Sequence, residues 1–133
     1  MWFNKTDTDT IYIDKRKEVK PDIQYTWQNL PFKNDFFNLI IFDPPHDTTG
    51  PKGIFREKYG TINLKTFNID YYQAFKELFR ILKPSGFLIL KWADRCRSLN
   101  QILALAEPQK PLIKNCVGTA SKGSTFWIIF RKP

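Results

Sequence analysis

"FNLIIFDPPHD", residues 37–47, decides the fold. Phe37, Leu39, Ile40, Ile41 and Phe42 crowd six positions without alternating with polar residues. That pattern suits a strand buried on both faces of a parallel sheet, because an amphipathic strand would alternate. The strand then stops at Asp43-Pro44-Pro45-His46. Proline fixes φ and has no N–H, so this turn is rigid and its carbonyls remain acceptors beside a carboxylate. In open α/β sheets ligands bind beyond the carboxyl ends of the strands, which is where Asp43 falls.

Working outward, "LPFKNDF" precedes the strand as a turn. Further upstream, "TIYID" (10–14) and "DIQY" (22–25) read as two short strands. Downstream, residues 47–67 are rich in Gly, Thr and Lys and have no period, as expected of a long functional or disordered loop. "NIDYYQAFKELFRILK" opens on an Asn/Asp cap signal and carries apolar residues at 69, 72, 75, 78, 79 and 82; this is helical spacing, stopped by Pro84. "GFLILKW" (86–92) is a second buried strand, and "SLNQILALAE" (98–107) a short helix capped by Ser98. "PLIKNCV" and "STFWIIFRK", separated by "GTASKGS", predict an antiparallel pair. Buried strands alternating with helices argue an α/β fold with a mostly parallel sheet and a C-terminal antiparallel hairpin.

The chain of 133 residues suits a single domain over 1–133, and its 42% apolar content can build one core. No apolar run approaches a bilayer span, and Met1-Trp2-Phe3-Asn4-Lys5 lacks the order of a signal peptide, so a cytoplasmic protein without membrane contact is expected. Cys96 and Cys116 make no disulfide framework, and with His46 as the one histidine no zinc site is recognisable. Twenty-one basic against thirteen acidic residues give a net charge of +8. Such a surface attracts polyanions, nucleic acid first among them.

An exocyclic amine such as adenine N6 has two N–H donors and a lone pair delocalised into the ring. Asp43 and the Pro44 carbonyl are two fixed acceptors that can hold both hydrogens and favour a pyramidal nitrogen with its lone pair aimed at an electrophile. Pro45 stiffens the turn, and His46 is placed to stack on a flipped base. Lys52, Arg56, Lys58 and Lys65 in the following loop either reach phosphates or simply solvate that loop.

Asp-Pro-Pro-aromatic at a strand end resembles the amino-methylating branch of the class I S-adenosylmethionine-dependent methyltransferases. "NLPFKNDFFNLIIFDPP" is similar to that family's Leu-Pro-Phe turn and fourth strand, and "AFKELFRILKPSGFLILKW" to its next helix, Leu-Lys-Pro-x-Gly turn and fifth strand. The C-terminal hairpin resembles the last two strands, so the likeness covers roughly residues 10–131. It implies a Rossmann-like fold and S-adenosylmethionine as cofactor. By position it implies that Asp14 bonds the cofactor ribose and that Asn29 and Leu30 line the adenine pocket. Thr26 stands where many members have an Asp contacting adenine, and Trp27 either stacks on adenine or belongs to the core.

The family's first strand and Gly-rich loop have no counterpart: no G-x-G occurs, and only 13 residues precede Asp14, against about 30 for a βαβ unit. The expected fold is therefore truncated, with the first βα unit missing. Either a second protomer or partner subunit completes the cofactor cleft, or the scaffold no longer binds the cofactor. The Met-Trp-Phe-Asn-Lys start and Asp-Pro-Pro-His resemble short methyltransferase-like chains of phages and prophages, which would place the protein in the host cytoplasm. The leading expectation is methylation of an exocyclic amine in DNA or RNA, adenine N6 first. The alternatives are an inactive nucleic-acid-binding or regulatory module, and a small-molecule or protein methyltransferase.

Overall fold

The computed structural model describes residues 6–46, 61–120 and 123–133. Two short strands come first, β1 (Ile13–Asp14) and β2 (Ile23–Gln24), joined through a 3₁₀ turn at Lys17–Val19. They pair in parallel, Ile13 with Ile23 and Asp14 with Gln24. The remaining elements are β3 (Phe37–Phe42), α1 (Phe67–Ile81), β4 (Leu82–Ala93), α2 (Leu99–Ala104), β5 (Pro111–Ala120) and β6 (Gly123–Arg131). They build a second sheet in the order β3-β4-β6-β5.

That sheet is mixed rather than mostly parallel. β3 and β4 run parallel, with Leu39 opposite Phe87 and Phe42 opposite Leu90. β6 then inserts antiparallel between β4 and β5. The cause is the tight hairpin: β5 and β6 must be antiparallel, and β6, whose Ile128 and Phe130 are fully buried, takes the central place beside β4. The strands also run into the expected turn, since Thr119 pairs with Ser124 and Ala120 with Gly123.

Alternation on β4 shows which face is covered. Leu88, Leu90 and Trp92 are fully buried, while Phe87 between the same strands is exposed. The buried side faces α1, where Phe75 and Phe79 pack on Phe130 at 6.1 and 5.9 Å between ring centroids. The buried stripe of α1 is Phe67, Tyr71, Ala74, Phe75 and Leu78, at i, i+4, i+7, i+8 and i+11. Ile69 and Tyr72, which the sequence places on that face, are 61% and 54% exposed. α1 ends at Ile81 and the strand starts at once with Leu82, ahead of the stop that Pro84 alone would impose. Ser98 caps α2, as its sequence suggests, and it does so in a reciprocal capping box with Gln101.

Between Leu82 and Phe87 the chain bulges out, so these two residues pair with Phe37 and Leu39 respectively. Ser85 sits there at φ 63°, and Gly86 lies so close to β3 that a Cβ would come within 2.9 Å of the Asn38 carbonyl oxygen. The "LKPSG" stretch is therefore the bulge that admits β4 beside β3. No described helix is long and apolar enough to cross a membrane.

Candidate functional site

Asp43 leaves the carboxyl end of β3 and is exposed, while Pro44 behind it is buried. The turn is held from three sides. Lys91, on the neighbouring strand β4, donates from Nζ to Asp43 Oδ2 at 2.9 Å. The Tyr71 hydroxyl, on α1, donates to the Pro45 carbonyl. His46 folds back, with Nδ1 3.3 Å from the Pro44 carbonyl oxygen. Beneath lies an aromatic floor: the His46 ring meets Trp92 edge-on at 6.3 Å, and Trp92 meets Tyr71 at 5.8 Å.

Burial pushes the His46 imidazole below its ordinary pKa, outweighing the bond to the Pro44 carbonyl and the nearby Asp43 carboxylate, which favour the cation; Arg95 and Lys91 add to the downward push. The ring is thus held neutral. Burial likewise raises the Tyr71 phenol far above its usual value, so Tyr71 remains a donor to Pro45. The two acceptors expected at this strand end are both present, and each already carries one donor. Asp43 Oδ1 has no partner among the described residues. The Pro44 carbonyl keeps a second lone pair.

The residues assigned to cofactor binding fall into three groups. Thr26 and Asn29 line an open cleft of about 400 Å³ with Lys15, Gln24 and Tyr25, at the carboxyl end of β2. Trp27 is half-buried against Phe42 and Tyr71, at 5.8 and 6.0 Å, and its indole nitrogen is buried without a hydrogen-bond partner among the described residues. Leu30 is buried in the core. Asp14 ends β1 but both its oxygens are engaged: Arg16 donates from Nε to Oδ1 at 2.9 Å and from a terminal nitrogen to Oδ2 at 2.7 Å. The Arg16 guanidinium holds this carboxyl below its usual range. Asp43 does not line the cleft.

Lys65 is exposed in the turn before α1, its N–H donating to Asn63 Oδ1. Lys52, Arg56 and Lys58 lie outside the described residues. Among the described residues no three His, Cys, Asp or Glu side chains gather as metal ligands.

Two groups escape a reading of the sequence alone. Lys91 and Tyr71 hold the motif, yet neither is near it in sequence. Lys91 had a signal: it is the one charge in the apolar run from Phe87 to Trp92, and it ends level with Asp43. The second is the Glu77–Arg80 pair on α1, which fixes the Leu-Pro-Phe turn. Arg80 donates to the Leu30 and Phe32 carbonyls at 3.1 and 2.7 Å, and Glu77 accepts from the Leu30 N–H at 3.0 Å. Arg80 holds the Glu77 carboxyl below its usual pKa.

No family model and no curated protein matches the chain. Solved structures do. N-methyltransferase NodS of Bradyrhizobium japonicum superposes with a TM-score of 0.60 at 12% identity, over 91% of this chain and 71% of that one. The PH0226 protein of Pyrococcus horikoshii gives 0.58 at 14% identity, over 88% and 63%. TTHA0409 of Thermus thermophilus, a candidate DNA modification methylase solved with S-adenosyl-L-methionine, gives 0.53 at 18% identity, over 77% and 50%. The chain thus spans between half and about two-thirds of the latter two proteins. At these identities the likeness is one of architecture: the chain has the α/β fold of the S-adenosylmethionine-dependent methyltransferases.

Proposed function

We propose that the chain is a methyltransferase module that holds an exocyclic amine of a nucleic acid base, adenine N6 first, at Asp43-Pro44-Pro45-His46. The observation that carries this reading is the Oδ1 of Asp43, without a partner among the described residues, beside the Pro44 carbonyl in a turn braced by Lys91 and Tyr71. Lys91 fixes the carboxylate through Oδ2 and leaves Oδ1 available. Pro44 offers its remaining lone pair. Two acceptors so fixed bind the two amine hydrogens and turn the nitrogen lone pair outward, at no cost of reorganisation during the reaction. Neutral His46 presents a flat, uncharged face for a base.

S-adenosylmethionine is the cofactor this reading requires, and it is bound in the Thermus thermophilus structure. The cleft, lined by Lys15, Gln24, Tyr25, Thr26 and Asn29, offers both apolar surface and polar groups and has room for a nucleoside. Asn29 and Thr26 would bond the adenine edge, and Asp14 would bond the ribose on exchanging Arg16 for hydroxyls. When bound, the cofactor supplies an electrophilic methyl group. This chain's own residues orient the amine, and the proton shed by the methylated nitrogen would leave along its hydrogen bond to the exposed Asp43 carboxylate and from there to solvent.

A second reading, a nucleic-acid-binding or regulatory module without catalysis, is favoured by one observation: Lys91 and His46 already occupy part of each acceptor. Transfer of a radiolabelled methyl group from S-adenosylmethionine to DNA and RNA separates the two. Label in adenine that is lost in Asp43→Ala supports the first reading. Retained nucleic acid binding with no label in any base supports the second.

A further inference from the structure

We propose that Arg97, on the loop after β4, holds a phosphodiester of the strand that carries the target base, and so positions that strand along the Asp43-Pro44-Pro45-His46 turn. The proposal rests on the reading that a nucleic acid base is held at that turn, and it adds the residue that sets the strand's register there.

The loop lies beside the motif. β3 and β4 are parallel neighbours, so the chain leaves both at the same end of the sheet. Asp43 opens the turn after β3, and Asp94-Arg95-Cys96-Arg97-Ser98 is the loop after β4. That loop is fixed along its length. The Asp94 N–H donates to the Ser124 carbonyl at 2.8 Å, the Trp92 indole N–H to the Arg97 carbonyl at 3.0 Å, and Ser98 caps α2. The same Trp92 ring meets His46 at 6.3 Å. Arg95 lies near enough to His46 to bear on its protonation. One buried tryptophan therefore anchors the loop and underlies the motif.

The Arg97 side chain is a cation short of an anion. It is partly buried, with its guanidinium 5.2 Å from the centre of the Phe67 ring, and Phe67 meets Trp92 at 6.2 Å. A guanidinium has five N–H donors. Here one terminal nitrogen is 3.5 Å from the Leu64 carbonyl oxygen, at the limit of a hydrogen bond, and Nε is buried with no partner. Among the described residues no carboxylate pairs with Arg97, whereas Arg16, Arg80, Lys91 and Lys132 each have one. A positive charge partly withdrawn from water is costly without a counter-charge, and an anionic ligand supplies one. Guanidinium suits this task, since its donors match phosphate oxygens while its face stacks on an aromatic ring.

The surroundings point to a strand rather than a single small anion. Leu64, whose carbonyl Arg97 approaches, directly precedes the exposed Lys65, so two cations share one rim. From His46 the row of rings runs through Trp92 to Phe67 and ends under Arg97. A strand laid along that row has a base at His46 and a phosphate at Arg97. Phosphate contacts of this kind fix register and carry no sequence information.

The test is a chemical double-mutant cycle on the full chain. The ligand is a short single-stranded DNA of thymines with one central adenine, in which one linkage at a time is replaced by an uncharged methylphosphonate; binding is followed by fluorescence anisotropy. In the wild type, one linkage near the adenine is expected to matter more than the distant ones, by at least about threefold. Arg97→Gln should erase that position effect, and Arg97→Lys should keep part of it. A merely structural Arg97 would weaken all the strands alike and leave the position effect in place, which overturns the proposal. If Arg97→Gln does not fold, a position effect in Arg97→Lys equal to wild type overturns it instead. A strand with an abasic site in place of the adenine separates the two readings. Weaker binding of that strand without any position effect overturns the role of Arg97 alone. Equal binding overturns the holding of the base, and the proposal with it.

Discussion

Asp43 is the residue on which the functional reading turns, and its surroundings set what each substitution does. Asp43→Ala is expected to abolish methyl transfer with an unchanged melting temperature, because the side chain is exposed at a strand end and its loss opens no cavity. Asp43→Asn is expected to retain part of the rate, since the amide oxygen still accepts one hydrogen bond. Lys91→Met removes the brace on Oδ2 and lets the carboxylate rotate. A rate lowered by roughly tenfold or more is expected, as small misplacements of a reacting group are costly; a rate equal to wild type would mean that Lys91 does not position Asp43. His46 yields a prediction in pH. Burial depresses its pKa in the folded protein below the unfolded value of about 6.5, so the unfolded chain binds the extra proton first. Stability is therefore fully present above about pH 6.5 and declines as pH falls from there through the folded value. Melting temperatures measured from pH 5 to 8 should show this decline, and His46→Phe should flatten it.

At the scale of elements, the bulge between Leu82 and Phe87 is the point where a single methyl group should matter most. Gly86 leaves no room for a Cβ, which would lie 2.9 Å from the Asn38 and Lys83 carbonyl oxygens, both backbone atoms that cannot step aside cheaply. Gly86→Ala is expected to cost about 1–3 kcal/mol, read from urea unfolding. Arg80→Ala should cost about 1–2 kcal/mol, because the Leu30 and Phe32 carbonyls lose their donor while water can still reach the site. The same elements show what the sequence could and could not convey. Strands β3 and β4 are legible because a run of large apolar residues ending in Asp-Pro-Pro or opened by Pro-Ser-Gly has few other uses. Ser98 and Gln101 announce α2 because a capping box is local in sequence. The face of α1 is legible only in part, since two apolar stripes compete there. The stripe read from the sequence is buried at Phe75, Leu78, Phe79 and Leu82 and exposed only at Ile69 and Tyr72, where the first turns bury Phe67, Tyr71 and the small Ala74 against the sheet instead. The place of β6 between β4 and β5 depends on pairing between strands distant in sequence, which no local pattern encodes. Lys91 and Tyr71 are hidden for the same reason: they reach the motif through strand register and helix docking.

For the whole molecule, the net charge of +8 sets the expected behaviour toward nucleic acid. Around the motif, Lys91 and Arg95 both lie close enough to oppose the protonation of His46, while the Asp43 carboxylate favours it. Lysine and arginine side chains that neutralise phosphates release condensed counterions, and the observed association constant then falls linearly in its logarithm with the logarithm of salt concentration. Binding to short DNA and RNA, followed by fluorescence anisotropy across roughly 50 to 200 mM salt, is expected to show such a slope and little preference between sequences. Base contacts carry sequence information and phosphate contacts do not, so binding driven by net charge carries little sequence preference. Lys65→Ala, remote in sequence from the turn, should weaken binding evenly across sequences and make the slope shallower by about one phosphate contact. His46→Ala should instead weaken binding by about 1–3 kcal/mol without changing the slope, because stacking on a base releases no counterion. An affinity that ignores salt, or a slope that changes with His46 and not with Lys65, would mean that charge and motif do not divide the work of binding in this way.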